Sequence, residues 1–312
     1  MLVELLKQVA IKAESPVGTK ATLAAENVIP AFNVKFKPTI KMVAHSDQAK
    51  GSQTQQPATP GLRSATISFD CEVMGGSAAA ALPVYAVALR GCGSKQTIVA
   101  SESVAYAPSS VSTDQLSVTV SALIDGKRYT IWGARGTKVL KAQVGEIAVY
   151  SFTFTGIDWD AVDGDLFTGV SWPAFTAPVF MGATLTLDGY QAIVTSIELD
   201  DGNEVVLRQD ASSASGHRAS LIKKRSPTLK LDPEEVLAAT YDFFAKWKAG
   251  EQVAFSATWN APAGTGKQIT LTVPKVQYQD ISPGERTGVT TNSLDCLCCG
   301  TTADDEHNIL FA

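Results

Sequence analysis

The sequence predicts a mainly β protein: two tandem β-sandwich or partial-barrel repeats, each with one flanking α-helix. Three observations predict it. Charged residues make up only 18% of the 312-residue chain while 45% are hydrophobic, enough apolar material for two ordinary cores. β-branched residues alternate with polar ones over many short runs, the period of half-buried strands. A short signature also occurs twice: Thr66-Ile67-Ser68-Phe69-Asp70 leads through an apolar stretch to Gly126-Lys127, and Thr228-Leu229-Lys230-Leu231-Asp232 leads to Gly266-Lys267. The path from Asp70 to Gly126 is longer than that from Asp232 to Gly266, and residues 94–115 fill the excess in the first copy. A repeated order of elements marks a doubled building block.

The elements follow in order. Residues 1–31 read as an N-terminal arm, with Glu14-Ser15-Pro16-Val17-Gly18-Thr19 as its turn. Its charged apolar run has no small-residue cleavage site, so it is not expected to be a signal peptide, and folding is expected in a cytosol. Val34 to Val43 form the first strand pattern; Pro38, which has no N–H to donate, places it at an edge or bulge. Residues 46–63 read as a long polar loop, and 210–225 as its counterpart ahead of the second signature. The first helix pattern runs through Leu82, Tyr85, Ala86 and Leu89 and stops at Gly91-Cys92-Gly93. The second is predicted from Asp232 as N-cap, with Pro233, Glu234 and Glu235 in its first turn, to Gly250 as its stop. Strand pairs follow each helix: 116–124, 128–132, 137–143 and 146–155, then 253–259, 268–273, 276–279 and 288–297. Asp125-Gly126 is a tight-hairpin signal. The expected organisation is a first domain over 1–156, an acidic, Pro-containing linker over 157–182, and a second domain over 183–312.

Chemistry is harder to find. Five cysteines, an odd number, argue against a disulfide framework, and Cys296 and Cys298 alternate with Leu294 on one face of a strand, where free thiols pack as small apolar groups. No cofactor or metal is predicted. Asp158, Asp160, Asp163 and Asp165 could hold calcium, but the fifth position of an EF-type loop is Val162, so a solvated acidic linker is the better reading. His45, His217 and His307 share no local motif with a nucleophile and read as surface residues. No phosphate loop, zinc-protease motif or nucleophile elbow is present, and Lys223-Lys224-Arg225 stands in a net acidic half, which is no nucleic-acid footprint. Charge is uneven: residues 1–156 carry a net +5, the connection −4 and residues 183–312 −6. Alternating halves around a ring would bring unlike charges together and set register.

Several motifs resemble the tail tube, or major tail, proteins of long noncontractile-tailed bacteriophages. They are Ile11 to Thr19, Thr66 to Val73, Leu89 to Gly93, Leu123 to Lys127 and Leu185 to Tyr190, and most specifically Gly133-Ala134-Arg135-Gly136-Thr137 with Phe152-Thr153-Phe154-Thr155-Gly156. The resemblance runs in order over residues 11–290 and implies a structural virion protein, not an enzyme, in which rings stack into a tube through which DNA leaves the capsid, with assembly in the host cytoplasm. It also implies the partners: copies of itself, the tape measure protein, the tail terminator and distal tail proteins, and phage DNA passing without sequence-specific binding, with no membrane. A doubled chain could close a pseudo-sixfold ring with three subunits; the alternative is a hexamer. The inter-ring stacking surface is expected on the two polar loops, at Asp47, Lys50, Gln53, Gln55, Arg63, His217, Arg218 and Lys223. Six repeats of about four strands at roughly 4.8 Å spacing give a tilted barrel about 40–50 Å across, ample for a duplex. A basic lining would hold back DNA, which carries one charge per roughly 1.7 Å, so a neutral or acidic lumen is expected. The alternative is a non-enzymatic tail-tip or fibre-base binding module. Third comes a β-sandwich hydrolase using Asp158, Asp160 or Glu72.

Overall fold

In a computed structural model, residues 6–45, 53–172, 177–259 and 267–312 are described. Strands dominate, with two short α-helices. The first half contains β1 (Lys7–Ala13), β2 (Val28–Ile29), β3 (Phe32–Val43), β4 (Thr59–Glu72), α1 (Ala86–Gly91), β5 (Ser94–Val99), β6 (Ser103–Pro108), β7 (Val118–Ile124), β8 (Lys127–Gln143) and β9 (Val149–Gly156). β10 (Asp158–Asp163) follows directly. The remainder contains β11 (Thr184–Leu187), β12 (Tyr190–Gln191), β13 (Ser196–Asp200), β14 (Glu204–Gln209), β15 (His217–Lys224), β16 (Thr228–Leu231), α2 (Phe243–Ala249), β17 (Gln252–Trp259), β18 (Ile269–Arg286), β19 (Val289–Cys299) and β20 (Asn308–Phe311).

The pairing repeats as the sequence signature does. In the first half β4 pairs β9, β9 pairs β8 and β8 pairs β7, all antiparallel. In the second, β16 pairs β19, β19 pairs β18 and β18 pairs β17. The flanks correspond too: β3 lies on β4 as β13 lies on β16, β1 on β7 as β11 on β17, and β10 on the start of β8 as β20 on the start of β18. The extra stretch of the first copy holds the β5–β6 hairpin, whose second strand pairs β20 of the other half. β8 likewise accepts β13, so the halves share hydrogen-bonded sheet at two places.

Alternation decides which face is buried. Ile67, Phe69 and Cys71 of β4 meet Phe152 and Phe154 of β9 under α1, with the Phe69 and Phe152 ring centroids 5.4 Å apart. A side chain at Gly91 would come 2.9 Å from Phe154 and 3.2 Å from Val118, so helix and sheet close on each other because the residue is glycine. In the second half Trp259, Phe255, Leu271, Val273 and Leu294 are buried, as are Cys296 and Cys298 on the same face of β19. At the β7–β8 hairpin Asp125 and Gly126 both have positive φ, 21° and 77°, matching the turn expected there.

Four local expectations change. Each pair of strands expected at 128–143 and 268–279 is one long strand, β8 and β18, because the breaks at Gly133 and Pro274 are taken up as register shifts against β7 and β17 with pairing on either side, and Gly136 pairs directly with Phe154. The first helix is only Ala86–Gly91; Leu82 lies before it, exposed. The second begins at Phe243, with the Asp242 carboxylate accepting from the Ala245 N–H at 2.8 Å. Asp232 does not cap it. Its carboxylate instead accepts from the Thr195 and Ser196 N–H groups at 2.8 Å each, and residues 233–235 continue along β19. Finally, the supposed acidic linker opens as β10, in register with β8 along its whole length. Asp158 pairs with Arg63 at 3.0 Å and Asp160 pairs with Lys20, so two of the four carboxylates are held by cations and are not a solvated run. Gly266 and Pro173 lie outside the described residues.

Candidate assembly surfaces

Of the eight residues expected on stacking loops, Asp47 and Lys50 lie outside the described residues, and Gln53 and Gln55 are exposed in the stretch leading to β4. Arg63 is not in a loop. It stands in β4, its guanidinium donating to Asp158 and, at 3.3 Å, to the Ala214 carbonyl. The segment expected to be the second loop holds the turn and the second strand of the β14–β15 hairpin, a two-stranded sheet of its own. His217 is buried at the start of β15, its Nδ1 2.9 Å from the Arg63 carbonyl, whereas Arg218 and Lys223 are exposed and pair with Asp210 at 3.1 Å and Glu204 at 3.2 Å. The structure therefore brings Arg63 and His217 together and leaves Gln53, Gln55, Arg218 and Lys223 facing solvent. The apolar runs Val205-Val206-Leu207 and Leu221-Ile222 are the signal for this hairpin, and the Ser and Lys content around them masks it.

The hairpin is seated on the first half. Ser220 Oγ donates to the Gly133 carbonyl at 2.6 Å, and the buried Arg135 donates to the Ser220 and Gln115 carbonyls. The Gly-Ala-Arg-Gly motif thus serves as a landing site: Gly133 has a φ of 59°, and a side chain on it would meet Ile157 at 2.5 Å. Glu14, which composition did not single out, is buried beside it. Its carboxylate accepts from Gly18 N, Ser117 Oγ, Thr119 Oγ1 and Gly133 N at 2.7–2.9 Å, fixing the turn of the N-terminal arm to β7 and β8.

A second polar knot joins the halves. Lys138 of β8 donates to Ser94 Oγ at 2.9 Å and to Asp201, and His307 Nε2 lies 3.3 Å from the other oxygen of Asp201. All three ionisable side chains are at most 5% exposed, so His307 is a core residue and not part of a solvated tail. Burial alone would push the Asp201 carboxyl up, but Lys138 and His307 more than offset it and hold it at about 2. Arg225 at the end of β15 pairs with Asp304 and, at 3.0 Å, with Glu306. The Cys-rich C-terminal stretch is therefore fastened into the body and ends as β20 between β18 and β6.

No group of three or more His, Cys, Asp or Glu side chains among the described residues is arranged to hold a metal. Two of the three hydrolase candidates, Asp158 and Asp160, are each committed to an ion pair; the third, Glu72, stands at the end of β4. What the described surface does offer is open strand edge. β3 pairs only with β4 among the described residues, exposing Ile40, Met42 and Val43, and the last residues of β18 pair only with β19. Against protein families, residues 5–296 match the one described as phage tail tube protein. The chain belongs to the phage tail tube protein family. No curated protein matches it. Membership makes this a structural component of the virion tail that self-assembles into a tube with other tail proteins. None of the described helices of this tail tube protein is long and apolar enough to cross a membrane.

Proposed function

We propose that the protein polymerises as stacked rings into the tail tube of a long noncontractile-tailed phage and forms the conduit for DNA ejection. The observation that carries this reading, given the family, is the doubled pairing order that ends, among the described residues, in two unpaired edges, β3 in one half and the end of β18 in the other. A long open edge with exposed Ile40 and Met42 is an aggregation hazard unless another chain covers it. Two edges of different sequence make head-to-tail contacts, which close into rings. On this reading the modules are 1–156 and 183–312 joined by 157–182, and three chains give six modules per ring. Stacking between rings uses Asp47, Lys50, Gln53, Gln55, Arg218 and Lys223. Arg63 and His217 contribute by fixing the hairpin against β4. The tube meets the tape measure protein inside and the terminator and distal tail proteins at its ends, and assembles in the host cytoplasm. Negative-stain microscopy of the purified protein tests it: rings or tubes are expected, and compact single particles at high concentration would remove the reading.

A further inference from the structure

The β8–β13 seam inside the chain has a counterpart that the chain cannot complete alone. In that seam β13 lies against the second half of β8, with Leu199 opposite Leu140 and Glu198 opposite Lys141. Leu140, Ala142, Ile197 and Leu199 are buried beneath it, and Lys141 Nζ lies 3.5 Å from Glu198 on the outside. The counterpart of β13 is β3, since each runs beside the Thr-x-x-x-Asp strand of its own half. The counterpart of this part of β8 is the end of β18. Both counterparts have that side unpaired among the described residues.

Register can be carried across residue by residue. Ile67 follows the Thr of the first signature as Leu229 follows that of the second. Leu229 pairs Leu199 and Ile67 pairs Phe36, so Phe36 stands for Leu199. On the other side of the signature strand, Ile67 pairs Phe154 as Leu229 pairs Cys296, and Cys71 pairs Tyr150 as the Pro233 carbonyl accepts from the Asn292 N–H. Tyr150 pairs Leu140 and Asn292 pairs Pro283, so Pro283 stands for Leu140. We infer that β3 of one copy docks antiparallel on the end of β18 of a second copy, with Phe36 opposite Pro283, Lys37 opposite Ser282 and Lys35 opposite Gly284. The inference rests on the assembly reading above and adds to it which edges meet and in what register.

Charge agrees with the pairing. Lys35 and Lys37 are exposed on one face of β3, and on the matching face of β18 Asp280 lies diagonal to Lys37, within reach of a long side chain. In the internal seam β8 supplies the cation and β13 the anion; here β3 supplies the cations and β18 the anion, so the two seams do not substitute for each other in charge. Pro38 and Pro283 each remove a donor from these edges, which keeps the seam short, like its template, and discourages indiscriminate strand addition.

The test is disulfide trapping in the full-length chain carrying Lys37→Cys and Ser282→Cys, both at exposed positions, followed by non-reducing electrophoresis and negative-stain microscopy. Rings or tubes together with covalent multimers that collapse on reduction, absent from either single variant, support the seam. Rings or tubes of the double variant that run as monomers overturn the edge assignment and leave the ring reading standing. Wild-type protein that forms neither rings nor multimers overturns the ring reading and the seam with it. A charge test is independent of the cysteines: Lys37→Glu should raise the concentration needed for assembly about tenfold, and adding Asp280→Lys should restore it. Unchanged assembly by Lys37→Glu, or no restoration, counts against the register.

Discussion

Asp201 shows how much one buried carboxylate can carry. It neutralises Lys138 of one half and faces His307 from the C-terminal stretch, with almost no solvent access to any of the three. Replacing it by Ala leaves a buried ammonium without its partner, an expected loss of about 3–5 kcal/mol measurable by chemical denaturation. Its acid response has a definite sign. The folded carboxyl titrates at about 2, below its ordinary 3.8, so its stabilisation is present above pH 3.8 and is lost as pH falls from there through 2. Wild type should therefore show an acid-unfolding component in that window, followed by circular dichroism, that an Asp201→Asn variant lacks. The cysteines give a second check at this scale. Burial pushes the thiols of Cys71, Cys92, Cys296 and Cys298 up, while Cys299 is partly exposed. Iodoacetamide on the native protein should label Cys299 alone, as read by mass spectrometry, and labelling of all five would contradict the packing.

Two aspartates separate local from long-range work among the elements. Asp242 caps a short helix through one side-chain hydrogen bond at a partly exposed end, so Asp242→Ala should cost only about 1 kcal/mol. Asp232 receives two backbone N–H groups next to β13 and pairs with Arg286 at 2.8 Å, so Asp232→Ala should cost about 2–4 kcal/mol and loosen the β13–β16 edge. No loss, or a gain, from Asp242→Ala would favour the longer helix that the Asp-Pro-Glu-Glu run predicts, in which Asp242 would be interior and Ala the better helix former. The first half has a partial counterpart, in which Asp70 accepts from the side-chain amide of Asn33 at 2.7 Å. The Asp of the repeated signature is thus a strand fastener, and its helix-cap appearance is a coincidence of neighbouring sequence.

For the whole molecule, the C-terminal strand bridges both halves through β18 and β6. Removing residues 300–312 should uncover both strand edges and delete His307, Asp304 and Glu306 from their ion pairs. Aggregation detected by light scattering is the expected outcome, where a dispensable tail would leave a clean monomer or tube. Hydrophobic periodicity and the twice-used Thr-x-x-x-Asp signature were enough to determine the β class, the duplicated order, the excess at 94–115 and the buried Cys296 face, because these depend on local alternation and on counting along the chain. Tertiary structure alone decided which aspartate caps the helix, that His217 and His307 are interior, that the acidic run is a strand and that a Ser-rich segment is a hairpin seated on Gly133. Each of these turns on a partner distant along the chain, or on competition between a local cap and a remote backbone donor, and no window of sequence contains both sides of such a contact.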